Sequence, residues 1–309
     1  MTDISSNVAA EMVIPSLWRL PLPVDTLPPY AHTNSFVLLD TEHQAVVVDV
    51  GSVDAAEMLI GWLTQHRYDL EGVLLTHTHS DHVAGLARLL EHTPVPVYVH
   101  ALEQDRLHQY LGGDIGGGYG GYGGCGGRVD MYDINDGDTF IHGEFHIYSV
   151  HTPGHSRGHV SFVVHDRNRP TKASTILAGD MVTDTGAIWV GTPEGDLSAY
   201  LQSLARLSAM SVNCLAPSHG AVSWQPQALL DKAKAHKQAR EQQVLALLEH
   251  PLSLCEITAQ LYANVPETMR DFAARSVEAH LVKLANDGRV QARQDTQRGK
   301  VYGRHKLDA

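Results

Sequence analysis

Cysteine, basic charge and long apolar runs are all scarce in this 309-residue sequence. Three cysteines without paired spacing form neither a disulfide framework nor a zinc finger. Lys and Arg number 23 against 35 Asp and Glu, and the resulting net charge of −12 argues against a surface that binds nucleic acid throughout. No apolar run approaches the roughly 20 residues needed to span a bilayer, and the polar start lacks a signal-peptide pattern. We therefore expect a cytoplasmic protein that does not act in a membrane.

Two residue classes are plentiful. Hydrophobic residues make up 43% of the chain, which is enough for a folded core and excludes general disorder. The chain also carries 20 histidines. Because histidine is the commonest transition-metal ligand, this excess directs the search to metal sites.

Charge divides the chain into two parts. Residues 1–230 hold 10 Lys and Arg and 25 Asp and Glu, a net of −15, whereas residues 231–309 hold 13 and 10, a net of +3. Together they give the −12 of the whole chain. At 309 residues the chain is also longer than most single domains, which hold roughly 100–200. We predict one domain over 1–230 and a second over 231–309.

The first part alternates short β-branched runs with helical patterns. Residues 45–50 and 73–76 are apolar, and each is followed by a helical spacing of Leu and Ala, while Val95, Val97 and Val99 alternate as in a half-buried strand. Further strands are predicted at 145–150, 161–165, 174–178 and 213–216. Strands interleaved with helices indicate an α/β domain.

Residues 112–127 break this pattern, because 11 of the 16 are glycine. The segment is not a phosphate-binding loop, since no Lys-Ser/Thr pair or helix start follows it. It is either a surface insertion or a flap at the mouth of a pocket, with Tyr119 and Tyr122 touching substrate. Both interpretations stay open.

The second part has the pattern of a winged helix. Residues 226–249 form a long amphipathic helix, and the Ser253–Glu256 capping box opens a second one. A third helix runs from Pro266 to a stop at Gly288. Two short strands around Gly299 then complete a two-stranded wing.

The segment Thr76-His77-Thr78-His79-Ser80-Asp81-His82 follows directly on a short apolar strand. A turn there would place four ligating side chains around a small volume. Imidazole and carboxylate together suit zinc, iron or manganese. Four such groups are costly to bury together without a cation. The segment therefore predicts a metal site.

Four short motifs in order resemble the metallo-β-lactamase-fold metallohydrolase superfamily. They are the histidine segment at 77–82, Thr152-Pro153-Gly154-His155, Leu177-Ala178-Gly179-Asp180 and Pro217-Ser218-His219-Gly220. The segments 193–201 and 236–243, followed by a winged-helix pattern, are similar to the lactamase-beta-like branch, which is related to glyoxalase II and to endoribonucleases. The resemblance implies a four-layer αββα fold with a smaller C-terminal winged-helix domain. The glycine-rich segment has no counterpart in that family pattern.

Carried over residue by residue, the resemblance implies a site for two divalent transition-metal ions, with Zn²⁺ expected and Fe or Mn as alternatives. His77, His79 and His155 would hold the first ion, and Asp81, His82 and His219 the second, with Asp180 bridging both. Two ions roughly 3.5–4 Å apart clamp a hydroxide between them and lower its pKa. Asp81 would be the catalytic residue that orients that nucleophile or accepts its proton.

Further residues receive weaker roles. His159, four residues after His155, is expected to contact substrate or to donate a hydrogen bond to a ligand. Tyr119, Tyr122 and Trp189 are candidates for the pocket wall. Asp49, which ends a strand beside the histidine segment, is expected to hydrogen-bond that segment.

Two functions from different substrate classes remain. The acidic first part favours hydrolysis of a small ester, thioester or lactone, because a net −15 would repel a polyanion. The alternative is an endoribonuclease or phosphodiesterase that uses basic residues of the wing, namely Arg289, Arg293, Arg298, Lys300 and Arg304. A winged helix joined to an enzyme can also serve only to dimerise it or to close the active site, so a homodimer stays open. The fold alone does not choose the substrate.

Overall fold

The computed structural model describes residues 8–111, 129–168 and 174–305. The chain divides into two compact units. The first comprises residues up to 152, 158–186 and 210–229, and the second comprises 153–157, 187–209 and the chain from 230 onward. The glycine-rich insertion with Tyr119 and Tyr122 lies outside the described residues, so its two interpretations stay predictions.

A seven-stranded sheet begins the first unit, with its strands in chain order from β1 to β7. Strands β1 to β4 pair antiparallel, and β4 to β7 pair parallel. The strands are β1 Glu11–Ile14, β2 Leu17–Pro23, β3 His32–Leu39, β4 Gln44–Val48, β5 Asp69–Leu74, β6 Val97–Val99 and β7 Met131–Asp133. The helices among them are α1 Val53–His66, α2 Ser80–Val83, α3 Leu86–His92 and α4 Gln104–Tyr110.

A second, five-stranded sheet has the order β12-β11-β10-β9-β8. Its strands are β8 Thr139–His142, β9 Phe145–His151, β10 Val160–Asp166, β11 Ser174–Gly179 and β12 Cys214–Pro217. All neighbours are antiparallel except β11 and β12, which are parallel. The predicted strands in this stretch are confirmed.

Two apolar cores explain the layering of the first unit. Phe36, Leu74, Phe162 and Leu177 are members of a buried cluster that draws residues from both sheets, so the sheets pack face to face. The opposite face of the first sheet packs against α1 and α3 through residues such as Leu59. Successive side chains of a strand point to opposite faces of its sheet, so the strands of the first sheet contribute residues to both cores.

One predicted helix is in fact two. The spacing of Val83, Leu86, Leu89 and Leu90 predicted one helix, but α2 ends at Val83 and α3 begins at Leu86. A Cβ on Gly85 would lie 2.1 Å from the carbonyl oxygen of Ser52. The backbone at Ser52 is therefore too close to Gly85 for any residue other than glycine to fit without a shift. At the break, Gly85 N donates to the carbonyl oxygen of Gly51 at 2.8 Å instead of to the preceding helical turn.

The second unit contains α5 Leu197–Ser208 and the C-terminal elements. The latter are α6 Pro226–Leu247, β13 Leu252–Ser253, α7 Leu254–Leu261, α8 Arg270–Asn286, β14 Val290–Asp295 and β15 Gly299–Arg304. The predicted capping box is present, since Ser253 accepts from the backbone of Glu256 and the Glu256 side chain accepts in return. Val244, Ile257 and Leu281 belong to one buried core. Three helices with a three-stranded sheet in the order β13-β15-β14 confirm the predicted winged helix.

Within the described part of the chain, no helix is both long and apolar enough to cross a membrane.

Candidate metal centre

The histidine segment is fixed by one buried carboxylate. Asp49, which is 1% exposed, accepts hydrogen bonds from Thr76 N at 2.9 Å and Thr76 Oγ1 at 2.7 Å. The same carboxylate accepts from His82 Nδ1 at 2.8 Å. Because Nδ1 donates, the lone pair of His82 lies on Nε2. Asp49 thus makes the hydrogen bonds that the sequence predicted.

Two histidines and two aspartates from three separate loops converge beyond this point. His82 Nε2 lies 3.6 Å from Asp180 Oδ1 and 3.9 Å from Asp81 Oδ1. His219 Nε2 lies 3.4 Å from Asp81 Oδ2 and 3.4 Å from Asp180 Oδ1. Asp81 lies in the first turn of α2, Asp180 follows β11 and His219 follows β12. The ends of three elements therefore deliver nitrogen and oxygen ligands to one small volume.

This arrangement fits a divalent cation. Among the described residues, His82 Nε2 is buried without a hydrogen-bond partner although two carboxylates lie just beyond hydrogen-bond distance. Burial opposes protonation of His82, but Asp49, Asp81 and Asp180 outweigh it and raise its pKa to about 9. Without a cation, these carboxylates thus draw a proton into the site. Imidazole and carboxylate ligands at this spacing suit Zn²⁺, Fe²⁺ or Mn²⁺.

Supporting contacts orient the other members of the cluster. His219 Nδ1 donates to the carbonyl oxygen of His32 at 3.0 Å, which directs Nε2 at the carboxylates. The His219 ring also stacks on Tyr30, with ring centroids 5.5 Å apart. Asp81 Oδ2 accepts from Thr26 Oγ1 at 2.5 Å. Thr26, Tyr30 and His32 carried no signal in the sequence, because they reach the site only through tertiary contacts.

The remaining histidines of the segment lie beside this cluster. His77 Nε2 and His79 Nδ1 are 3.0 Å apart, and a ligating atom of His77 lies within 4.8 Å of ligating atoms of His82 and Asp180. The intervening Thr78 donates to the buried Glu103 carboxylate, from Oγ1 at 2.6 Å and from N at 3.2 Å. Glu103, which the sequence patterns did not indicate, is therefore a second buried carboxylate that holds the segment.

His159 has a defined supporting place. Its ring is buried, its Nε2 accepts from Asp180 N at 3.0 Å, and its Nδ1 bonds to Thr152 Oγ1 at 2.8 Å. Of the two roles expected for His159, this geometry favours hydrogen bonding behind a metal-site residue over contact with substrate. The close fit extends to the backbone, because a Cβ on Gly179 would lie 2.3 Å from His159 Nε2.

His155 and Trp189 belong to the second unit and contact each other there. His155 Nδ1 donates to the carbonyl oxygen of Trp189 at 2.8 Å, which places the lone pair of this imidazole on Nε2 as well. The Trp189 indole Nε1 donates to the carbonyl oxygen of Phe272 at 3.0 Å, and the two rings pack edge to face. The Trp189 side chain therefore serves packing within its own unit.

The chain belongs to the metallo-beta-lactamase superfamily, which residues 30–219 match. Residues 253–300 match the beta-lactamase-associated winged helix domain. The predicted fold class, with its C-terminal winged helix, is thereby confirmed, and so is the prediction of a hydrolase.

The individual proteins that this chain resembles share about a quarter of its residues. The chain is 27% identical over 270 residues to an atrochrysone carboxyl ACP thioesterase from Passalora fulva, covering 84% of this chain and 72% of that protein. It is 25% identical over 267 residues to a beta-lactamase-like protein 2 homolog from Drosophila melanogaster, covering 84% of both. A solved beta-lactamase domain protein from Burkholderia ambifaria superposes with a TM-score of 0.79 at 21% identity, covering 96% of this chain and 93% of that one. This last likeness concerns the fold alone.

Proposed function

We propose that this protein is a binuclear metal-dependent hydrolase of a small ester, thioester or lactone. One observation carries the binuclear part. A carboxylate oxygen of Asp180 lies within 4.8 Å of ligating nitrogens of both His77 and His82, which the family resemblance assigns to different ions. A carboxylate within reach of one histidine assigned to each ion supports the role of Asp180 as a bridging ligand.

The proposed ligand sets are those that the family resemblance implies. His77, His79 and His155 would hold the first ion, and Asp81, His82 and His219 the second. Asp180 would bridge the two. Zn²⁺ suits this mixed nitrogen and oxygen set best, and Fe or Mn would use the same residues.

The ions, when bound, would polarise the scissile carbonyl and make water nucleophilic near neutral pH. The protein's own contribution begins with Asp81, whose side chain is 13% exposed. Its bond from Thr26 fixes the carboxylate so that it can orient water and accept a proton.

Among the described residues, no cysteine belongs to the candidate metal groups. Cys214 begins β12 and is buried, and burial raises the pKa of its thiol to about 11. A protonated, inaccessible thiol is a poor nucleophile. Water is therefore the nucleophile that we propose.

The substrate class rests on charge and on relatives. Residues 1–230 carry a net of −15 (10 basic against 25 acidic residues), which disfavours polyanions. A relative named as an ACP thioesterase shows that the superfamily includes thioester hydrolysis at 27% identity to this chain. We therefore place thioesters first among the candidates.

The nuclease alternative requires a free basic wing, and three of the five proposed basic residues already contact carboxylates or carbonyl oxygens. One of them is Arg289, whose guanidinium lies 3.8 Å from the Glu241 carboxylate. Arg298 contacts Asp295, Glu256 and the carbonyl oxygen of Pro251. Arg304 Nε donates to the carbonyl oxygen of Leu245 at 2.8 Å. These contacts occupy guanidinium groups that would otherwise be free to bind a phosphate backbone. Endoribonuclease or phosphodiesterase activity is therefore the second candidate.

A panel of substrates tests the proposal on the metal-loaded protein: acyl thioesters, lactones, a phosphodiester and single-stranded RNA. We expect turnover of a thioester or lactone that changes little between about 50 and 200 mM salt. A nuclease would lose affinity by orders of magnitude over that range. RNA cleavage with a steep salt dependence, reduced when Arg293, Arg298 and Lys300 are changed to Ala, would contradict the proposal and favour the alternative.

A further inference from the structure

Helix α6 buries a lysine for which packing alone gives no reason. Lys237 is 4% exposed, and its Nζ donates to the carbonyl oxygen of Ile188 at 2.6 Å. The ammonium also lies 5.2 Å from the centroid of the Tyr200 ring. The ion pairs found among the described residues include none at Lys237. Burial, with help from nearby Arg240, lowers the pKa of Lys237 to about 7.

A buried amine of this kind costs stability. Replacing a buried charge by an apolar side chain of similar size is often neutral or stabilising. An unbranched apolar residue would fill the same volume between α6 and Tyr200. The identity of Lys237 is therefore better explained by what its amine holds in place than by folding.

The amine holds the residue that precedes Trp189. The carbonyl of Ile188 belongs to the same planar peptide unit as the nitrogen of Trp189, so fixing that oxygen fixes the start of Trp189. The carbonyl oxygen of Trp189 in turn accepts the bond from His155 Nδ1 at 2.8 Å. Two consecutive carbonyls thus connect Lys237 to His155.

The C-terminal helix α8 holds the same segment at further points. Trp189 Nε1 donates to the carbonyl oxygen of Phe272 at 3.0 Å. Thr192 donates from its backbone to Arg275 and from its hydroxyl to Glu278. All of these residues belong to the second unit. Residues 188–192 are therefore tied to the winged-helix elements along their length.

We propose that Lys237 is a positioning residue for His155, so that α6 of the winged-helix region sets the affinity of the first metal site. The proposal rests on the ligand role of His155 in the proposed function. By fixing the Ile188–Trp189 peptide unit, Lys237 positions the next carbonyl, that of Trp189, which keeps the proton of His155 on Nδ1 and the ligating lone pair on Nε2. Partners of this kind typically change metal affinity by 10–100-fold when they are removed.

The test compares Lys237→Met with Lys234→Met in the full-length protein. Lys234 lies one turn earlier on α6 and is exposed, so it controls for loss of charge. Co²⁺ is titrated into the metal-free protein against a chromophoric chelator, and the visible absorption of each equivalent is recorded. For Lys237→Met we expect one of the two equivalents to bind about 10-fold or more weakly with an altered spectrum, and the other to be unchanged. Lys234→Met should match the unsubstituted protein.

A stability measurement separates positioning from a structural role. The metal-free Lys237→Met protein should melt at the same temperature or higher, because a buried amine has been removed. If metal binding falls only in step with a lower melting temperature, Lys237 acts through folding and the proposal is wrong. Should Lys237→Met fail to fold, Trp189→Phe removes the indole bond to Phe272 and should weaken the same equivalent.

His155→Ala distinguishes this proposal from the one on which it rests. It should abolish one equivalent of Co²⁺. If both equivalents survive His155→Ala, the ligand set is wrong. If His155→Ala removes an equivalent while Lys237→Met and Trp189→Phe leave both equivalents and both spectra unchanged, the ligand set stands and the role of Lys237 is refuted.

Discussion

At the residue scale, single carboxylates decide the geometry of the site. Asp49 bonds to Thr76 and to His82 and thereby sets both the backbone of the histidine segment and the tautomer of one imidazole. Glu103 does the same for Thr78, and its other oxygen accepts from Gly158 N at 2.8 Å. The ligand loops are therefore preorganised by buried hydrogen bonds that are costly to break.

Asp180→Asn should reduce metal binding more than it reduces folding. An amide keeps the shape of the side chain but loses the negative charge between the two histidine sets, so at least one ion should bind tenfold or more weakly. The measurement is metal content after dialysis together with turnover. Asp69→Asn, at an exposed position at the start of β5, is the control. Retention of two ions and full turnover by Asp180→Asn would exclude Asp180 as the bridge.

The metal-free protein should lose stability as pH rises. Asp180 and Asp81 raise the pKa of His219 to about 11 against the desolvation that burial imposes, and the pKa of His82 is about 9. Both values exceed the roughly 6.5 of an unfolded histidine, so the bound protons stabilise the fold below pH 6.5 and are lost as pH rises through 9 and 11. The pKa of Lys237 is lowered to about 7, so this single residue makes the fold more stable as pH rises. The two histidines have the opposite effect and outweigh it.

The net effect is a fall in stability between about pH 7 and 9. Melting temperatures measured in chelator across that range should therefore decline. The metal-loaded protein should show a flatter curve, because its ligating imidazoles are neutral. A metal-free curve that is level or rising over the range would show that the carboxylates do not hold protons on these histidines.

At the element scale, the loop between α2 and α3 depends on the absence of a side chain at Gly85. Gly85→Ala should destabilise the protein by about 1–3 kcal/mol, the usual cost of overpacking, because its Cβ would meet the Ser52 carbonyl at 2.1 Å. Gly72→Ala is the control, since its Cβ would meet its nearest neighbours at 3.6 Å. Denaturant unfolding measures both variants, and equal stabilities would show that the Ser52 loop yields without cost.

The elements that sequence patterns predicted well are those with uniform environments. Strand β5 and helix α8 are buried on a regular face, so their periodicity is visible in the sequence. The first three strands were not predicted, because β3 buries polar residues such as Asn34, whose side chain donates to the carbonyls of Pro217 and Gly220. Such pairing is a long-range tertiary contact that leaves no local pattern.

The same distinction applies to the site. The seven proposed ligand positions could be named because they fall in four short motifs that resemble the superfamily. Glu103, Thr26 and Tyr30 could not, since each lies outside those motifs and reaches the site from another element. Lys237 lies in the segment 236–243 that resembles the lactamase-beta-like branch, but no sequence pattern indicated that it is buried. Its bond to the carbonyl oxygen of Ile188 is a tertiary contact that only the structure shows.

At the scale of the whole molecule, the chain joins an acidic hydrolase region to a slightly basic winged-helix region. Charge alone suggested a division at residue 230, and the structure additionally groups 153–157 and 187–209 with the C-terminal residues. His155 and the Trp189 segment therefore share a unit with α6 and α8. This grouping favours a role of the winged-helix region in metal binding over a role in nucleic-acid recognition.

The most direct test of the account is the metal content of the freshly purified full-length protein, measured by elemental analysis alongside thioester hydrolysis. We expect close to two divalent transition-metal ions per chain. We also expect that activity falls as a chelator removes them and returns when they are restored. A metal-free preparation that hydrolyses its substrate at the full rate would contradict the central claim.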